Sequence, residues 1–222
     1  SGKGEASDVL VMTATPIPRT LTLTAYGDMD SSRLTEKPEG RQPIDTRTFP
    51  LERLDEIVSA VQRALAQGAK IYWICPLVEE SEALDLAAAE DRYAHLKQVF
   101  GAQVGLVHGK MKGPDKDAVM ENFAGSGIDI LVATTVVEVG VDVPEATVMV
   151  IEHAERFGLA QLHQLRGRIG RGAKKSTCIL LYGAGLSGQA RERLKIMRET
   201  DDGFRIAEED LRLRGAGGLM GT

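Results

Sequence analysis

Two arginines three positions apart, Arg168 and Arg171, stand in the stretch Gln161-Leu-His-Gln-Leu-Arg-Gly-Arg-Ile-Gly-Arg-Gly172, with Gln164 just before them and Gly167 and Gly170 beside them. Arginine stays charged at any working pH, and its planar fork meets two phosphate oxygens at once. Read as helix, the spacing puts both guanidinium groups on one face, and the glycines leave room next to them. Gly-Arg-x-Gly-Arg alone would equally describe two solvated surface arginines in a loop. Context favours the chemistry: an apolar run that ends in two hydroxyls lies upstream, in Ile130-Leu-Val-Ala-Thr-Thr-Val-Val-Glu-Val-Gly-Val-Asp-Val-Pro144. Ligands of open α/β sheets bind where strands end. Thr134 and Thr135, with backbone amides, suit a phosphate backbone gripped without reading sequence. Asp142, after the turn at Gly140, suits a ribose hydroxyl. Thr135 also reads as a helix N-cap. A weaker candidate is Val107-His-Gly-Lys-Met111, where His108 alone reads more simply as structural.

The elements that must position these residues follow from apolar spacing. Strand-like and helix-like segments alternate from about residue 44 onward, which implies a parallel α/β sheet. Leu54, Ile57, Val58, Val61 and Leu65 repeat at helical spacing, and Gly68 supplies the stop. Buried strands are expected at 71–75, 104–107, 128–133, 147–151 and 177–182, all short and nearly continuous in apolar residues, as strands covered on both faces are. Helices are expected at 82–100, 114–123 and 158–168, with Pro114 suited to a first helical position. Two shorter helices follow within 187–214, resting on Ala190, Leu194 and Met197 and on Ala207 and Leu211, with Asp201-Asp202-Gly203 as the turn. Residues 1–43 hold one strand-like run, Val9–Met12, and a proline-rich polar stretch.

Composition narrows the class. The 222 residues carry 27 basic and 32 acidic side chains, a net charge of −5, so the chain as a whole is no basic nucleic-acid binder. Charge is nevertheless local: between Arg156 and Lys175 lie six basic residues (Arg156, Arg166, Arg168, Arg171, Lys174, Lys175) and no acidic one, as at a polyanion site. Cys75 and Cys178 are the only cysteines, and the four histidines are scattered. Neither a disulfide framework nor metal-ligand spacing is visible, and a reducing cytoplasm is the natural setting. No apolar run approaches the ~18 residues of a membrane span.

Together these stretches resemble motifs V and VI of superfamily 2 helicases. Val11-Met-Thr-Ala-Thr-Pro-Ile-Pro-Arg-Thr20 resembles motif III, which ends the first RecA-like domain and couples ATP to DNA through residues here numbered Thr13 and Thr15. Ile71-Tyr-Trp-Ile-Cys-Pro-Leu-Val-Glu-Glu-Ser81 and Glu152-His-Ala-Glu-Arg-Phe-Gly-Leu-Ala-Gln161 are similar to the RecG family of fork-remodelling DNA helicases. Asp202-Gly-Phe-Arg-Ile-Ala-Glu-Glu-Asp-Leu-Arg-Leu-Arg-Gly215 resembles the helical-hairpin translocation motif shared by that family and the transcription-repair coupling factor. The Cys75–Ser81 run separates them, since the coupling factor lacks it. The resemblance covers nearly the whole chain from Val9.

It implies a RecA-like parallel sheet flanked by helices, the helicase C-terminal domain, followed by a helical hairpin. Residues 1–43 would be the end of the first motor domain and a linker, 44–184 the second RecA-like domain, and 185–222 the hairpin, cut short. The implied cofactor is ATP with Mg2+, held mainly by the first RecA-like domain of the same full-length chain, and the implied partner is branched DNA, forks and Holliday junctions, in the bacterial nucleoid. Arg168 and Arg171, with Gln164, would reach the phosphates beside Gly140 and Asp142; Thr134, Thr135, His108 and Ser81 would meet DNA. Arg212 and Arg214 would relay movement toward motif VI or DNA, although Glu208, Glu209 and Asp210 balance them locally. No G-x-x-x-x-G-K-[ST] phosphate loop occurs; Ser1-Gly-Lys-Gly4 follows no strand and lacks the hydroxyl, and Ser1-Gly2 reads as a cloning remnant. The chain is therefore expected to be a 3′–5′ helicase fragment, inactive alone. Two other readings stand beside it: a motor fragment of the coupling factor, and a non-enzymatic α/β module whose arginines bind protein carboxylates.

Overall fold

The structure, a computed structural model, describes residues 42–77, 81–134 and 143–220, with side chains through residue 215. Six parallel strands form one sheet in the order β1-β6-β5-β2-β4-β3: β1 (Ile44–Pro50), β2 (Lys70–Ile74), β3 (Val104–Val107), β4 (Ile130–Ala133), β5 (Ala146–Ile151) and β6 (Ser176–Tyr182). Central strands β2 and β4 are buried at every position, which accounts for their continuous apolar sequence. β1 is the strand that the apolar pattern does not announce. It reads Ile-Asp-Thr-Arg-Thr-Phe-Pro because it lies at the sheet edge, where Asp45 and Arg47 face water and pair with each other.

Alternation along the strands divides two cores. Ile71 and Trp73 of β2, with Cys75 just after it, point to the face covered by α1 (Leu54–Ala66) and α2 (Glu82–Phe100), where Ile57, Val61, Ala89 and Leu96 meet them. Tyr72 and Ile74 point to the other face, covered by α3 (Gly113–Ala124) and α4 (Leu159–Arg166), with Met120, Phe123, Leu159, Leu162 and Leu165. The two cysteines lie in opposite cores, both as thiols. Burial pushes the Cys178 thiol up to about 12, so neither is a thiolate at neutral pH.

Helices α5 (Gly188–Glu199) and α6 (Gly203–Met220) form the expected hairpin over the α4 face. They run antiparallel, since Gln189 of α5 donates to the Leu213 carbonyl and Arg212 of α6 pairs with Glu192. Ser187 caps α5 by accepting from the Ala190 amide, and Asp202 accepts from Phe204 N at the turn. The buried stripe of α6 is Ile206, Ala207 and Leu213 rather than Leu211, which is exposed. Among the described residues, no helix is long and apolar enough to cross a membrane.

Candidate functional site

The chain order and the parallel sheet sort the candidate residues onto two edges. A parallel strand starts at one edge and ends at the other, and each helix returns the chain. The loop carrying Arg168 and Arg171 lies between the end of α4 and the start of β6, at the amino edge. Ser81, His108 and Thr134 follow β2, β3 and β4, at the carboxyl edge.

At the amino edge the helical reading of the arginine pair is corrected. α4 ends at Arg166, Gly167 is its C-cap, and Arg168 and Arg171 lie beyond it in a loop. The stop is conformational. Gly170 has φ +75°, a left-handed backbone that side chains rarely adopt, and a Cβ there would sit 2.9 Å from Cγ1 of Ile44. Ile169, fully buried in the α4 core, pins the loop between the two arginines. Arg171 Nε donates to the Gly167 carbonyl at 3.3 Å, which steadies its base. Burial lowers the pKa of Arg168, and the like charge of Arg171 lowers it further. The two guanidinium groups repel each other, and an anion shared between them would relieve that repulsion. Gln164 is exposed one turn back on α4.

The six-residue basic run does not form one patch. Arg166 is 2% exposed; its guanidinium donates to the carbonyls of Met197 (2.6 Å) and Thr200 (2.8 Å) and to the Thr46 hydroxyl (3.1 Å). It fastens α4 to the end of α5 and to β1, and burial lowers its pKa first of all. Arg156 precedes α4 and sits at the other edge, about 12 Å of helix away from the loop.

At the carboxyl edge Ser81 is the N-cap of α2, its oxygen accepting from the Leu84 amide at 3.4 Å. The hydroxyl proton can still be donated. His108 Nδ1 accepts from the Lys110 amide at 3.2 Å, so the neutral ring carries its proton on Nε2. Thr134 closes β4 through its amide on the Val107 carbonyl (3.3 Å), but is only 4% exposed. Direct contact with a DNA strand, expected of it, does not fit that burial. Thr135, Gly140, Asp142, Thr13, Thr15 and Val9–Met12 lie outside the described residues.

Sequence reasoning passed over one charged cluster at this edge. Glu152, after β5, is 6% exposed and accepts from Trp73 Nε1 (2.7 Å), Arg92 Nε (2.9 Å) and Arg92 Nη2 (2.7 Å), with the Cys75 thiol at 3.4 Å. Burial alone would raise the Glu152 pKa, but the Arg92 hydrogen bonds and charge, with Trp73, hold it below its usual value. The pair locks α2 to the end of β5, and Trp73 ties β2 to the same carboxylate. A charged residue ending the apolar run Thr147–Ile151 was the available signal. Arg212 pairs with Glu209 and Glu192, and Arg214 with Asp210; the arginines are exposed and their acidic partners half-buried. The hairpin arginines thus face their own acidic neighbours, and such salt-screened pairs are easily exchanged for phosphate.

Residues 51–173 match the helicase conserved C-terminal domain family, and the chain belongs to it. Within that family it is similar to the ATP-dependent DNA helicase RecG of Acidithiobacillus ferridurans, 56% identical over 99% of this chain and 32% of the relative. The RecG of Escherichia coli K12 is 53% identical over 96% of this chain and 31% of the relative. A solved structure of RecG bound to a three-way DNA junction superposes with a TM-score of 0.79 at 43% identity, over 93% of this chain and 27% of that one. A structure of Saccharomyces cerevisiae Dbp5 bound to RNA and ADP BeF3 (TM-score 0.59, 14% identity, 89% of this chain and 53% of that one) shares the fold. The chain spans about a third of the length of the RecG relatives it matches.

Proposed function

We propose that this chain is the second motor domain of an ATP-dependent 3′–5′ DNA helicase that remodels stalled replication forks and Holliday junctions. The observation that carries the reading is the arginine loop: two adjacent cations, held beyond α4 by a left-handed glycine and a buried isoleucine, inside a chain more than half identical to RecG. That arrangement fits a nucleotide polyphosphate. Bound ATP with Mg2+ would supply the hydrolysable phosphoanhydride, held mainly by the first RecA-like domain. Arg168 and Arg171 would stabilise charge building on the phosphates, which counts only when another surface has already oriented them. Ser81 and His108 at the carboxyl edge, with Thr135 beyond the described residues, would hold a DNA backbone. Residues 1–43 would join the two motor domains, and the α5–α6 hairpin would carry their closure toward DNA.

A chimera tests this. Residues 1–222 replace the matching segment of Escherichia coli RecG, and junction-stimulated ATP hydrolysis and fork unwinding are measured. Both activities are expected to persist, while the 222-residue chain alone turns over no ATP. A folded chimera that hydrolyses ATP without response to DNA would count against the reading, as would turnover by the chain alone.

A further inference from the structure

We infer that the incoming strand β1 is a positioning element for the arginine loop, so that the segment joining the motor domains and the phosphate-directed arginines form one mechanical unit. This rests on the reading of Arg168 and Arg171 given above. Three alternate residues carry it, and alternate residues of an extended chain share a face. Gln42 Nε2 donates to the Ala173 carbonyl at 3.0 Å, past Arg171. Ile44 lies against Gly170, close enough that no side chain fits there. Thr46 accepts from Arg166 at 3.1 Å, where α4 ends. The loop is therefore contacted before, between and after its two arginines by β1 and the residue two positions before it.

Pairing with β6 fixes the register of this clasp: Ile44 stands opposite Ser176, the first residue of the strand that leaves the loop. Polar contacts sit at the two ends and an apolar one in the middle, so a shift along β1 by a single residue would lose all three and turn this face away. Residues 1–41 run directly into Gln42. Gln42 stands two residues before the paired strand and Ile44 begins it, so the chain entering β1 bears directly on the arginine loop. Misplacing a catalytic group by about 1 Å costs up to about a hundredfold in rate, so a loosened clasp reads out as lost turnover rather than lost affinity.

The test uses the full-length helicase that contains this chain. Gln42→Ala with Ile44→Ala is expected to lower kcat for DNA-stimulated ATP hydrolysis about tenfold, with KM for ATP and DNA affinity within about twofold of wild type. Ile44→Val, which keeps the branch against Gly170, restores turnover when Gln42 is intact. Gln42→Ala alone alters one exposed side chain and so keeps the test open if the double variant folds poorly; it should lower kcat by about two- to threefold. Unchanged kcat in these variants, KM rising in step with the loss, or Ile44→Val as impaired as Ile44→Ala would overturn the inference. Arg171→Ala run alongside separates the two ideas. If it too leaves turnover intact, the arginine reading is what fails; if it abolishes turnover while the β1 variants do not, only the clasp fails.

Discussion

The two edges of the sheet hold their charges in opposite ways. At the carboxyl edge Arg92 is matched by Glu152, and Trp73 and Cys75 close over the pair. At the amino edge Arg168 has Arg171 for its charged neighbour, and the two repel. Within that second region the contrast repeats over two residues: Arg166 is buried and spent on carbonyls and a hydroxyl, while Arg168 is half-buried beside Arg171. A compensated cation braces a fold. Two like charges held side by side cost stability, and perturbed charges of that kind cluster at functional sites.

The largest effect that would break this comparison is catalytic. Arg171→Ala in the full-length helicase should cut kcat for ATP hydrolysis by roughly a thousandfold or more, as loss of an arginine finger does, or about 4 kcal/mol of barrier. Nucleotide affinity should change far less, because the group acts on charge that develops during the reaction. Parallel losses in steady-state kcat and in nucleotide binding by titration would make Arg171 a binding residue and erase the distinction.

Next comes the compensated edge. Glu152→Gln leaves the Arg92 charge buried beside a neutral amide, and should destabilise the domain by about 3 kcal/mol, read as a lower denaturant midpoint with catalytic constants little changed under native conditions. The sign with pH follows from the depressed pKa. Glu152 binds its proton more weakly folded than unfolded, so its stabilisation is complete above the unfolded value near 4.5 and drains away as pH falls through the folded value. Equilibrium unfolding between about pH 6 and pH 3 should show a shallower acid limb in the variant. Identical limbs would mean that the pair contributes nothing.

The smallest effect sharpens the functional half of the comparison. Ser81→Asp keeps an N-cap acceptor for α2 while placing a negative charge on the carboxyl edge. DNA affinity should fall about threefold to tenfold at low salt and recover as salt rises, with basal ATP hydrolysis and melting temperature nearly constant. An equal drop in basal hydrolysis would move Ser81 to the nucleotide side.

Much of this was legible from residues alone. The helix of Leu54, Ile57, Val61 and Leu65, the strands from Ile71 to Tyr182 and the hairpin turn at Asp201–Gly203 lie where apolar spacing and turn residues put them, because each element buries one face and its sequence must say which. The motif residues and their order were equally plain. The edge strand β1 was not, since Asp45 and Arg47 face water and its pattern mixes Asp, Thr and Arg with Ile and Phe. Leu211 was misplaced by one helical step, because the hairpin rests on Ile206 and Leu213 instead.

What the sequence by itself determined is most of the elements, through local periodicity, and the kind of ligand to propose, through the charge and shape of arginine. Which arginine does which task was decided only by the tertiary structure. Arg166, Arg168 and Arg171 are chemically identical and lie within six positions. One is buried because α4 still carries it against the Thr200 carbonyl, and two lie beyond the helix in a loop that Gly170 turns left-handed against Ile44. Ile44 is more than 120 residues away along the chain, and only the closing of the sheet brings it there.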